Sequence, residues 1–140
     1  SHDEFKVWHG LFVRTDVIVP TIYSPVDRTH LTSVYQRFLE RTRYLRRSDY
    51  LLSNRVVIPL IFCEIGRNEP LDLRLISSFI RHNTIVHKPL VGLILKGQLI
   101  DPAALVEDWK TAVKTSVRLV AGRYQMENHA EQPKYVPLGY

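Results

Sequence analysis

The chain has 140 residues, 45% of them hydrophobic and 24% charged, with a formal net charge of +5. That length suits one globular unit and is too short for two well-filled cores. The composition is too apolar for a disordered chain, no apolar run is long enough to cross a membrane, and the lone Cys63 excludes a disulfide framework or a multi-cysteine zinc site.

Residues 5–23 are rich in β-branched and aromatic types, Val7, Phe12, Val13, Val17, Ile18, Val19, Ile22 and Tyr23 among them. This composition predicts one or two strands or a hairpin, with Pro20 marking an edge or a strand end. Trp8 in such an edge strand is a residue for contact with a partner, or else a packed side chain. Ser24-Pro25-Val26-Asp27 is a helix start, with a capping serine and a proline at the first helical position. A helix over 25–47 follows. Leu31, Val34, Tyr35, Phe38, Thr42 and Leu45 share one face, Arg37, Arg41 and Tyr44 run down another, and Arg43 and Arg47 flank them.

The run 55–65 is the most apolar part of the chain and predicts a buried strand. Pro59 argues against a central strand, because it removes a ladder donor; a kinked buried helix is the alternative. A helix over 70–82 follows, with Leu71, Leu75, Ile76, Phe79 and Ile80 inward. Residues 84–86 are extended, and 89–96 fit either a strand or a short helix. Asp101-Pro102 is a cap and first-turn pair that starts a helix to 121, with Leu105, Val106, Trp109, Ala112, Val113, Val117 and Val120 as its apolar stripe and Gly122 as its stop. Residues 1–122 form the expected globular domain. Residues 123–140 form an extended tail ending in an apolar segment, whose Tyr135 and Tyr140 are further partner-binding candidates.

The expected fold is therefore α+β: three main helices (25–47, 70–82, 101–121) on a small sheet from 5–23, 55–65 and 84–95. A mainly helical fold with an N-terminal β-hairpin is the alternative.

The charge is concentrated. Arg28, Arg37, Arg41, Arg43, Arg46, Arg47 and Arg55 are opposed only by Glu40 and Asp49, so this segment holds the whole net charge. Its basic residues are all arginine, whose planar fork grips phosphate in a bidentate way and stacks on bases. The expectation is a non-enzymatic nucleic-acid-binding domain, RNA favoured or sequence-nonspecific. It would use Arg37, Arg41, Arg43, Arg46, Arg47 and Arg55, with Tyr44 free to stack. No RNP signature, KH loop or zinc-finger spacing is present, so backbone contact is expected rather than base readout. The alternative is an assembly module, a subunit of a larger complex or a viral structural protein, in which the arginines meet an acidic protein surface and self-association occurs.

Catalytic signals are weak. His82 and His87 are five apart, which fits loop histidines at a helix end better than metal ligands. Cys63 in an apolar run is a buried small hydrophobe rather than a nucleophile. Glu64 and Glu69 form no convincing acid–base pair, and the glycines assemble no nucleotide-binding loop. No enzyme, metal or cofactor is expected. The chain opens at Ser1-His2 with no visible signal peptide, which reads as a piece cut from a longer protein. One cysteine suits a reducing compartment, cytoplasm or nucleus.

Overall fold

The computed structural model describes residues 4–24, 37–46, 50–65 and 78–124. Helix α1 spans Glu4–Arg14. Strands β1 (Val17–Ile18) and β2 (Thr21–Ser24) follow it. Residues 37–42 form helix α2, which tightens into a 3-10 turn at Arg43–Arg46. Strands β3 (Val56–Val57) and β4 (Leu60–Glu64) come next, then helix α3 at residues 78–81. Strands β5 (Ile85–Val86), β6 (Leu90–Leu95) and β7 (Gln98–Leu99) precede helix α4, Pro102–Ala121.

This is an α+β fold. The strands form two small sheets, β1-β3-β5 and β2-β4-β6-β7, in which every pair is parallel except the β6–β7 hairpin. That hairpin turns at Lys96-Gly97, both at positive φ, as a two-residue turn between twisted strands requires.

Three prolines separate the two sheets. Pro20, Pro59 and Pro89 each stand immediately before the second strand of their segment. The Val17↔Val56 and Thr21↔Leu60 pairs keep one register across the interruption, and Leu60 N–H still donates to Pro20 O at 2.9 Å. In that parallel register the amide Pro20 lacks would have reached Ile58 O, so the ladder misses one bond and no more. Between the second and third segments the register slips by one residue, from Val56↔Ile85 to Leu60↔Leu90. The third segment therefore carries a bulge around Lys88. Without it Pro89, which has no N–H, would face Pro59 O; with it, Leu90 N–H fills that place at 2.8 Å. Pro59 itself lacks the N–H that would face His87 O in this register, so the central segment gives up one bond there, at the break between the two sheets. Pro20 lies on an edge strand, as the sequence predicts.

Two apolar clusters clamp the sheet. On one face Ile22 and Val57 pack with Leu39 of α2 and Phe79 of α3, supported by Ile18, Phe38 and Val86. On the other, Ile58 and Leu90 pack against Ala112 of α4, with Leu105 and Trp109 beside them. Asp101 caps α4 by accepting from Ala104 N–H at 3.2 Å, and does so in the left-handed region at φ 47°. Gly92 lets β6 pass close to its neighbours: a Cβ there would lie 2.8 Å from the Phe62 ring and 2.9 Å from Leu99.

Several expectations are corrected. Residues 5–23 are not a hairpin, which also removes the alternative fold built on one. The first half is helix α1, and 17–24 pairs in parallel with 56–64. Phe5, Trp8 and Phe12 recur at helical spacing, and that period outweighs the β-rich composition. Trp8 accordingly lies on a helix, not an edge strand. Residues 90–95 are strand rather than helix. Ile80 points outward, and of the stripe predicted for α4, Val106, Val113 and Val117 are exposed. The predicted helices 25–47 and 70–82 are seen at 37–46 and 78–81; their remainders, and residues 125–140 of the predicted tail, lie outside the described residues.

Candidate functional site

Helix α2 places the arginines. Its Phe38 and Leu39 turn inward, and Thr42 Oγ1 bonds back to Phe38 O and Leu39 O at 3.1 Å, which anchors the helix on the core. Arg37 and Arg41, one turn apart, are left exposed on the outer side.

The later arginines are held differently. Arg43 and Arg46 lie in the 3-10 turn around the fully buried Leu45 and are half-buried themselves; the Arg43 Nε is enclosed with no hydrogen-bond partner. Arg55 reaches across to α1 and donates from Nη2 to Val13 O. That carbonyl belongs to the last turn of α1, where a cation meets the negative end of the helix dipole. Arg14 serves the same turn through Nε to Gly10 O at 2.9 Å. Arg55 thus ties α1 to the start of β3.

Tyr44 is also engaged. Its hydroxyl meets His9 Nδ1 at 2.6 Å, and the two rings stack with centroids 5.5 Å apart. Phe12 and Phe38 meet beside them. Helix α1 therefore packs on α2 through His9 and Phe12, and Trp8 and Leu11 remain 52% and 51% exposed. Of the predicted site residues, Arg37, Arg41, Arg43, Tyr44 and Arg46 lie together on α2 and its 3-10 turn. Trp8 lies on α1, and Arg55 stands behind that helix. Arg47, Tyr135 and Tyr140 lie outside the described residues.

Two features escape a reading of the sequence. The first is His82, expected on a loop. It lies in the turn that ends α3, 1% exposed, with its ring against Phe79 and its Nδ1 without a partner. Burial pushes its pKa down from 6.5 to about 4, and the nearby Arg46 guanidinium adds to the effect. The second is a pair at the carboxyl ends of β2 and β4, where Tyr23 donates its hydroxyl to Glu64 Oε1. That bond to a carboxylate raises the tyrosine pKa. The two residues are far apart in sequence and meet only through the parallel register.

Cys63 is a buried free thiol in β4. Among the described residues no three His, Cys, Asp or Glu side chains come together as metal ligands, and no helix is long and apolar enough to cross a membrane. Comparison with known proteins finds no matching family model and no curated protein of similar sequence.

Proposed function

We propose that this domain is a non-enzymatic binder of nucleic acid, RNA favoured, that holds the phosphate backbone with the arginines of α2. The observation that carries the reading is the exposure of Arg37 and Arg41 on successive turns, within the segment that holds the whole net charge. Arg43 and Arg46 line the inner border of that surface, and Arg47 follows them in sequence. Arg55 and Tyr44, engaged with α1, drop out of the contact set. Such a surface suits phosphate rather than base edges, and a nucleic-acid partner fits the cytoplasm or nucleus.

The test is fluorescence anisotropy with labelled single-stranded RNA and duplex DNA at about 50 and 200 mM salt. Each phosphate contact adds roughly 0.7 to the logarithmic salt slope on a single strand, so Arg37→Ala with Arg41→Ala should lower the slope by about 1.4 and weaken binding. An absence of binding at low salt, or a double variant that binds as the parent does, sinks the proposal. A second reading, an assembly module, draws support from Trp8 and Leu11, which sit one turn apart on α1 and expose apolar surface. It expects self-association in light scattering that Trp8→Ser abolishes.

A further inference from the structure

The outer side of α4 carries more apolar surface than an isolated surface helix needs. Leu105, Trp109, Ala112 and Ser116 face the sheet, and Ser116 Oγ closes onto Ala112 O at 2.8 Å. Next to that buried stripe runs a second one. Val106, Val113 and Val117 are 49%, 36% and 59% exposed, at the seven- and four-residue spacings that stack side chains along one line of a helix.

Beside the valines stands a row of cations. Lys110, Lys114 and Arg118 follow at four-residue intervals on the solvent side of the stripe, all exposed. Lys110 pairs with Glu107 at 3.2 Å, an exposed contact of little strength. Lys114 and Arg118 have no ion pair among the described residues. An apolar seam bordered on its open side by three cations has the pattern of one half of a helix–helix interface.

The geometry points to one occupant: a helix of a protein partner that lays an apolar seam on Val106, Val113 and Val117 and sets acidic side chains against Lys110, Lys114 and Arg118. Charge selects this over a second copy, because an antiparallel pair of α4 helices would bring like flanks together, cation against cation. Side-chain type selects it over a lipid surface. Interfacial helices insert Trp, Phe or Leu, whereas short, stiff valines suit close packing against another helix. This surface lies on a different helix from the proposed nucleic-acid contacts and does not depend on them.

The experiment uses the full chain and two synthetic helical peptides of about three heptads, with leucine at positions a and d and either glutamate or lysine at e and g. Anisotropy should show binding of the glutamate peptide alone. Val113→Asp with Val117→Asp should weaken it about tenfold or more. The triple reversal K110E/K114E/R118E should transfer the preference to the lysine peptide. All these positions are exposed, so circular dichroism and the thermal midpoint should stay at parent values; the triple reversal leaves the apolar seam intact and remains a valid test if the aspartates unfold the helix. Failure of the glutamate peptide to bind, equal binding of both peptides, or an unchanged preference in the triple variant overturns the proposal. So does displacement of the glutamate peptide by a peptide of residues 125–140, a dimer that the aspartate variants dissolve, or binding of phosphatidylserine vesicles or RNA that depends on the same valines.

Discussion

Acidification should weaken this fold through His82 in particular. The side chain is 1% exposed, packed on Phe79, with Nδ1 unpartnered and the Arg46 guanidinium near. In the unfolded chain it takes up a proton near pH 6.5, whereas in the fold it resists until about pH 4. The folded pKa is the depressed one, so the neutral ring's contribution is complete above about pH 6.5 and is lost as the pH falls toward about 4. At about pH 5 the unfolded histidine is almost wholly charged and the folded one mostly neutral. The gap of about 1.5 pH units, at about 1.4 kcal/mol each, costs the fold about 2 kcal/mol relative to about pH 7.5. That is a large share of a typical domain's stability. Urea unfolding at both pH values measures it. Carboxylates also begin to titrate there, so the informative quantity is the difference from His82→Gln, which carries no titrating ring. The parent should lose about 2 kcal/mol more than the variant between the two pH values. Equal losses in the two proteins would show that His82 is solvated in the folded state and that the burial argument is wrong.

Two substitutions probe the packing. Gly92→Ala drives a methyl to within 2.8 Å of the Phe62 ring and 2.9 Å of Leu99 and should destabilise by about 1–3 kcal/mol in thermal melts, with a smaller loss when it is made in a Phe62→Leu background. Had that space been open, alanine in a strand would stabilise instead, so a raised midpoint refutes the contact. Asp101→Ala loses the α4 cap and leaves at this left-handed position a residue that tolerates it less well than aspartate, for a loss of about 1–2 kcal/mol, whereas Asp101→Gly, which removes the β-carbon, should cost only a few tenths by chemical denaturation.

The parts of the fold legible in the sequence are those set by local chemistry. Asp101-Pro102 marks the start of α4, and the bounded apolar run at 55–65 marks the central segment. Pro59 looked disqualifying because nothing local shows that it falls at the break between two sheets, where one lost ladder bond is tolerated. Helix α1 was written in the spacing of Phe5, Trp8 and Phe12, and the β-branched residues nearby masked it. The site was less legible. Local sequence placed Arg37 and Arg41 outward correctly. Nothing near Arg55 indicates that it will reach Val13 O, and nothing in Arg81-His82-Asn83 indicates burial. Phe79 packs on the ring, and the Arg46 charge that adds to its lowered pKa is delivered by another helix. The Tyr23–Glu64 pair likewise needs the strand register before it exists.

The proline row also acts on the chain before it folds. Segments of five to seven residues with strong β propensity, no charge and no proline stack readily into cross-β assemblies. In the most apolar run, Pro59 and Glu64 leave nothing longer than Val56–Ile58 and Leu60–Cys63 uninterrupted. Pro20 divides Val17–Val19 from Thr21–Ser24 in the same way. In the third segment Lys88-Pro89 separates Ile85–Val86 from Leu90–Leu95, which carries Gly92 at its centre. Rings that interrupt the ladder of the finished sheet serve as gatekeepers in the nascent one. The segments that will form the core are thereby kept from pairing with other copies while α2 and α4 have yet to cover them.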